Sequence, residues 1–205
     1  MRMIRFLFLV FFSLSNVNAQ EVISPLLSSP REDMYISKNQ NLLTLPFFDD
    51  FSSVQLSSNN WIGKSTFINK NYPVNPPTIG VVTFDGLDSI GFAYDINMTN
   101  NSGSADVLQS KQINLSSVDT AFFLFYYQPQ GYGDNPQAED SLVLEFLSDS
   151  SGFISWKSIW SVPGTSLHDF RKVVILISES NFLHDSFQFR FKNYATLSGN
   201  FDHWH

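Results

Sequence analysis

Near the C-terminal end of the chain, Phe187, Phe189 and Phe191 alternate with Gln188, Arg190 and Lys192. Successive side chains of an extended strand point to opposite faces, so a strand is the conformation that puts these three rings on one side and the polar groups on the other. Leu142, Leu144 and Phe146 repeat the pattern around Val143 and Glu145. The stretch Ala121–Tyr127 is a continuous apolar and aromatic run, which predicts a strand buried on both faces. Further strands are expected over 61–68, 78–84, 105–109, 153–160 and 173–177. Turn residues separate them: Asp85-Gly86, Ser151-Gly152, Pro163-Gly164 and Ser198-Gly199-Asn200. No stretch combines a helix cap with sustained i, i+3, i+4 spacing. Eight or so short strands with few helices predict an all-β fold, an antiparallel β-sandwich of jelly-roll type. The 21 Phe, 7 Tyr and 4 Trp then belong mainly to the two inner faces of the sandwich.

The chain's 43% hydrophobic and 15% charged residues are too apolar for a disordered protein. With no cysteine, disulfide scaffolds and thiolate metal sites are excluded. Residues 1–19 read as a secretory leader. Arg2 and Arg5 precede the apolar run Phe6 to Phe12, and Val17 and Ala19 suit a cleavage site before Gln20. That run is too short to span a bilayer, and no later segment has the length or hydropathy of a membrane span. Residues 20–41, rich in Ser, Pro, Asn and Gln, read as an extended linker, leaving 42–205 as the sandwich domain. Removing 1–19 takes away two arginines and no acid, leaving 10 Lys+Arg against 19 Asp+Glu, a net charge of −9. Such an acidic chain without a basic run is not built to bind phosphate backbones, so nucleic acid is excluded as a partner. Export without cysteine fits a bacterial route better than an animal one.

The ordered motifs carry a resemblance. They are Pro46-Phe47-Phe48-Asp49-Asp50-Phe51 with Trp61, Gly80-Val81-Val82-Thr83-Phe84-Asp85-Gly86-Leu87, and Ala105-Asp106-Val107-Leu108-Gln109-Ser110-Lys111. There follow Phe125-Tyr126-Tyr127-Gln128-Pro129-Gln130-Gly131-Tyr132-Gly133-Asp134, Asp140-Ser141-Leu142-Val143-Leu144-Glu145-Phe146, Trp160-Ser161-Val162-Pro163-Gly164, and Phe187 to Phe191 with Asn193-Tyr194. In this order, over roughly 43–205, they resemble the MAM-like, concanavalin-like jelly-roll domains of Bacteroidetes secreted and cell-surface proteins. The resemblance implies export by the type IX secretion system or an association with gliding motility and adhesion. It also implies a final strand after the closing Trp-His, here His203-Trp204-His205, so the sandwich is expected to lack its last strand and to show an edge or gap in one sheet.

Related jelly rolls often hold a structural cation where the first strand meets the last. The resemblance thus implies a Ca²⁺ site from Asp50, Asp85 and Asp202, with Asp49 beside them, the alternative being ordinary turn carboxylates. A second candidate is the loop 128–139, where Tyr132, Asp134 and Asn135 stand among Gly and Pro. Tyr72 on the Pro-rich loop 69–77 offers a second wall. An aromatic ring with carboxylate and amide groups suits a glycan, while a rigid structural loop is the competing reading. Catalytic patterns are weak: Glu139-Asp140 reads as a turn before a strand, Glu145 stands alone on its face, and there is no Gly-x-Ser-x-Gly elbow or His-Glu-x-x-His helix. The four histidines, His168, His184, His203 and His205, are scattered apart from the terminal pair, which shares one face if that segment is a strand, and a lone His in a loop is expected to be polar surface. The sequence therefore predicts a non-catalytic glycan- or protein-binding module of an exported protein. The alternatives are an accessory domain of a larger secreted peptidase or glycosidase, and a part of the secretion or gliding machinery.

Overall fold

The computed structural model describes residues 42–63, 65–88, 90–97 and 102–205, and the leader and linker expected over 1–41 lie outside the described residues. Nine strands follow one another: β1 (Trp61–Ile62), β2 (Phe67–Asn69), β3 (Val81–Thr83), β4 (Ser102–Ser110), β5 (Ala121–Tyr127), β6 (Ser141–Ser150), β7 (Phe153–Pro163), β8 (Arg171–Ile177) and β9 (Phe189–Thr196). Among the described residues there is no helix long and apolar enough to cross a membrane.

The first layer is one antiparallel sheet in the order β1-β4-β9-β6-β7. The facing layer comes in two pieces, the antiparallel pairs β2–β3 and β5–β8. Residues 203–205 lie between these pieces, with Trp204 bridged antiparallel to Phe84 on one side and to Pro129 on the other. Phe84 N–H and the Trp204 carbonyl pair at 2.9 Å, and Gln128 N–H and the His205 carbonyl at 2.8 Å. The fold is an all-β antiparallel sandwich.

The alternation that announced β9 does its work in the core. Phe189 and Phe191 are buried while Arg190 and Lys192 face outward. From the opposite layer Phe123 meets Phe189 at 4.6 Å between ring centres, and Phe125 meets Phe191 at 4.9 Å and Trp160 at 5.0 Å, all steeply inclined. Edge-on contact sets the positive rim of one ring against the negative face of the next, adding to the ~1.5–3 kcal/mol that each buried large side chain contributes. Trp204 and Leu144 are wholly enclosed.

The structure corrects several expectations. The run 121–127 is not buried on both faces. Phe123, Phe125 and Tyr127 point inward, whereas Phe122 is 75% exposed and Leu124 and Tyr126 join it outside. A two-layer sandwich has nothing to lay over the outer face of β5, and no described segment covers it. The strand expected over 61–68 divides into β1 and β2, which pair with different partners, β4 and β3. His203 and His205 are buried, not polar surface. Glu145 has cations on its face: Arg190 lies at 2.6 Å and Lys192 at 2.8 Å.

Candidate functional site

One end of the sandwich gathers three segments: the loop 69–77, the loop 128–139 and the closing segment 199–205. Gln128, fully buried, ties them together. Its side-chain amide donates to the carbonyls of Val74 and His168, and its Oε1 accepts from Val74 N–H. Tyr132 N–H donates to the Tyr72 carbonyl at 2.7 Å, so the two loops expected to form facing walls are adjacent. The Tyr72 ring packs edge-on against His203 at 5.1 Å, while the Tyr132 ring stands 74% exposed above this frame.

The glycines of Gly131-Tyr132-Gly133 explain the tightness. A Cβ at Gly131, where φ is +58°, would run into the Tyr72 carbonyl and the His205 ring, and one at Gly133 would run into the His203 ring. Both imidazoles are held by defined partners. Asp134 N–H donates to His203 Nδ1 at 2.8 Å, so the proton sits on Nε2, which donates to Asn200 Oδ1. His205 Nε2 donates to the Gln130 carbonyl, leaving Nδ1 to accept from the Thr83 hydroxyl at 2.9 Å. Burial pushes the His205 pKa down to about 4; the Gln130 carbonyl opposes this and His203 adds to it. His205 is therefore a neutral ring at physiological pH.

The carboxylates of this end are mostly committed to backbone. Asp202, enclosed and with φ +58°, accepts Thr196 N–H on Oδ2 at 2.6 Å, and its own N–H donates to Asp134 Oδ2. Its Oδ1 is buried without a partner among the described residues. Burial pushes its pKa up to about 6, the Thr196 N–H pulls it back, and the charges of Asp140 and Asp134 raise it further. Asp140 accepts Gln137 N–H on Oδ2 and the Ser102 hydroxyl on Oδ1.

The residues expected to bind calcium are not brought together. Asp50 accepts Ser52 N–H at the surface, Asp85 is buried and accepts Leu87 N–H within its own turn, and Asp202 serves Thr196. Asp49 is a structural acceptor for the Trp61 indole N–H at 2.8 Å. Among the described residues no group of three or more His, Cys, Asp or Glu is placed to hold a metal ion. Calcium needs six to eight oxygens, and this donor set does not fit it. Of the expected glycan-binding residues, Tyr72 and Tyr132 share a corner. Asp134 faces Asp202, and Asn135 Oδ1 is buried without a partner.

A second concavity lies on the other side of His205. It is an apolar cavity of about 480 Å³ between β3 and β5, walled by Val82 and Phe84 on one side and by Phe123 and Phe125 on the other, with Phe189 and Phe191 beneath. Against known proteins, the chain matches no protein-family model and no curated protein sequence.

Proposed function

We propose that this domain is a non-catalytic jelly-roll module of an exported bacterial surface protein, and that it meets a glycan at the corner made by Tyr132 and Tyr72. The observation that carries the reading is Tyr132 itself. A large ring stands 74% exposed on a loop whose backbone is fixed to Tyr72 and backed by buried Gln128. An exposed aromatic on a rigid frame loses little entropy on binding and offers a flat face to a pyranose ring. The non-catalytic part rests on the acids. Glu145 is neutralised by Arg190 and Lys192, and Asp140 accepts the Gln137 N–H and the Ser102 hydroxyl. A carboxylate spent in this way is a poor general base.

The test is a glycan array with the purified protein, followed by titration calorimetry on any hit. Tyr132→Ala is expected to weaken binding at least tenfold without changing the melting temperature. An array without a hit, or binding unchanged by Tyr132→Ala, removes the reading. Hydrolysis of peptide or glycan substrates by the purified chain would remove the non-catalytic part.

A further inference from the structure

The outer face of β5–β8 is made of three outward rungs. The ladder pairs Ala121 with Ile177 at one end and Tyr127 with Arg171 at the other, so Phe122 stands beside Leu176, Leu124 beside Val174, and Tyr126 beside Lys172. Phe122 is 75% exposed, and Leu124, Val174 and Leu176 are each about half exposed. The inward residues Phe123, Phe125 and Tyr127 already meet the core from the same strand, so the outer rungs add nothing to it. A contiguous apolar face is unusual on a chain that stays alone in water, because each large side chain left outside forgoes ~1.5–3 kcal/mol of burial.

The two ends of this face differ in charge. Beyond the Phe122–Leu176 rung lie Asp119 and Glu179; at the Tyr126–Lys172 rung lie Arg171 and Lys172, with Asp169 just before them, and all five are exposed. One end is therefore acidic, while at the other two cations stand against one acid. A face with an apolar middle and opposite charges at its ends is complementary to itself when turned end for end. Twofold pairing presents the same patch from both subunits. An axis running across the strands at the central Leu124–Val174 rung lays the Phe122–Leu176 end of one copy on the Tyr126–Lys172 end of the other. An axis running along the strands would set cationic end on cationic end, so charge selects the first arrangement.

We propose that the outer face of β5–β8 docks on the same face of a second copy of this chain, the strands of the two copies running in opposite directions about a twofold axis at the Leu124–Val174 rung. Leu124 and Val174 meet their own counterparts at the axis. Lys172 lies along the Leu176 end of the second copy, its methylene stem covering apolar surface while the ammonium reaches toward Glu179 there. Facing sheets pack ~10 Å apart, a gap that interleaved Phe122 and Tyr126 side chains fill. The six residues of the three rungs are few against the ~20–30 a side of a standard interface, so the dimer is weak and forms in the micromolar range. At lower concentration the chain is a monomer, and substitutions on this face leave its own stability nearly unchanged.

Sedimentation equilibrium of the purified chain from about 1 µM to about 500 µM tests this. A monomer–dimer equilibrium is expected, weakened at least tenfold by Leu124→Lys, which sets two like charges against each other at the axis. Lys172→Glu is expected to weaken it as well, and the double variant Lys172→Glu/Glu179→Lys to restore it, because each reversed charge again meets its opposite. Melting temperatures at about 1 µM are expected to match that of the native chain; if Leu124→Lys melts lower, the exposed Lys172→Glu carries the test. A chain that stays monomeric at every concentration overturns the proposal. So does a dimer indifferent to both single variants, which places the contact elsewhere, as along the edge of β8 that no strand among the described residues pairs with. A double variant no stronger than Lys172→Glu alone also overturns it, since the opposite ends of the face would then not meet.

Discussion

The two layers of the sandwich face one core and are finished to different degrees. The layer β1-β4-β9-β6-β7 is one sheet, each strand paired with its neighbours and the register shifting at Ser104/Val107 and at Leu144/Glu145. Its outer face carries an ion-pair group: Glu145 lies between Arg190 and Lys192, and the Arg190 guanidinium stacks 4.2 Å over Trp156. The opposing layer is two hairpin-sized pieces held together by residues 203–205, and the outer face of β5–β8 is apolar, with Phe122, Leu124, Val174 and Leu176 exposed. A complete ladder satisfies its backbone from within. An interrupted one leaves main-chain groups and a cavity that the fold alone does not fill.

The strongest way to break the comparison is to remove the bridge. Trp204→Ala is expected to cost about 3–5 kcal/mol, read by urea denaturation, and to lower amide protection of β2–β3 more than that of β6–β9. Phe146→Ala, an equally buried ring in the continuous layer, is expected to cost a similar amount while lowering protection evenly. Equal loss of protection in both variants would show that the broken layer does not depend on its bridge.

A second contrast lies in pH, at the closing segment. Asp202 has a folded pKa of about 6, above the ~3.9 of an unfolded Asp. Its contribution is thus full below about pH 4 and is lost as the pH rises through 6. His205, at about 4, lies below the ~6.5 of an unfolded His, so its contribution is full above about pH 6.5 and is lost as the pH falls through 4. Each shift is worth about 3 kcal/mol, with opposite sign in nearly the same window. Stability of the native chain should therefore vary little between pH 4 and 6.5. Asp202→Asn should rise in stability with pH over that window, and His205→Gln should fall. Denaturation midpoints at pH 4, 5.3 and 6.5 check the signs, and parallel profiles for both variants would contradict them.

In the continuous layer the expected pH effect is smaller. Burial raises the Glu145 pKa, but Lys192 and Arg190 outweigh it and hold the carboxyl below its usual range. Glu145→Gln should cost about 1–2 kcal/mol at pH 7, a cost that fades as the pH falls below ~4.3, the ordinary Glu value. The smallest effect belongs to the apolar outer face. Leu124→Ser and Leu176→Thr, each about half exposed, should change stability by less than about 0.5 kcal/mol. A larger loss in thermal denaturation would mean that this face is covered.

Much of the continuous layer was legible beforehand because period-two alternation is a local signal. Phe189, Phe191, Leu142, Leu144 and Phe146 fall inward as their spacing requires. The β5 run misled because a row of apolar residues reads the same whether one face or two are covered. The histidines misled because their burial comes from Tyr72 and Gly131-Tyr132-Gly133, distant in sequence. The closely spaced glycines were the one available clue, since they mark places where another group approaches the backbone. The aspartates expected to bind calcium show the same limit: Asp50 and Asp85 each accept an N–H two residues on, short-range turn chemistry that the spacing of the acids does not reveal.

Sequence alone determined that this chain makes strands, which faces of most of them are apolar, and that a cysteine-free aromatic core has to hold it together. These are properties of neighbouring residues, and side-chain alternation reports them directly. Tertiary structure decided which strands lie side by side, that one layer is a continuous sheet and the other is two pieces bridged by residues 203–205, and that Asp202 and His205 lie buried. Those outcomes depend on backbone pairing between residues far apart in the chain, and main-chain N–H and C=O groups are the same at every position except proline, so no run of side chains records them.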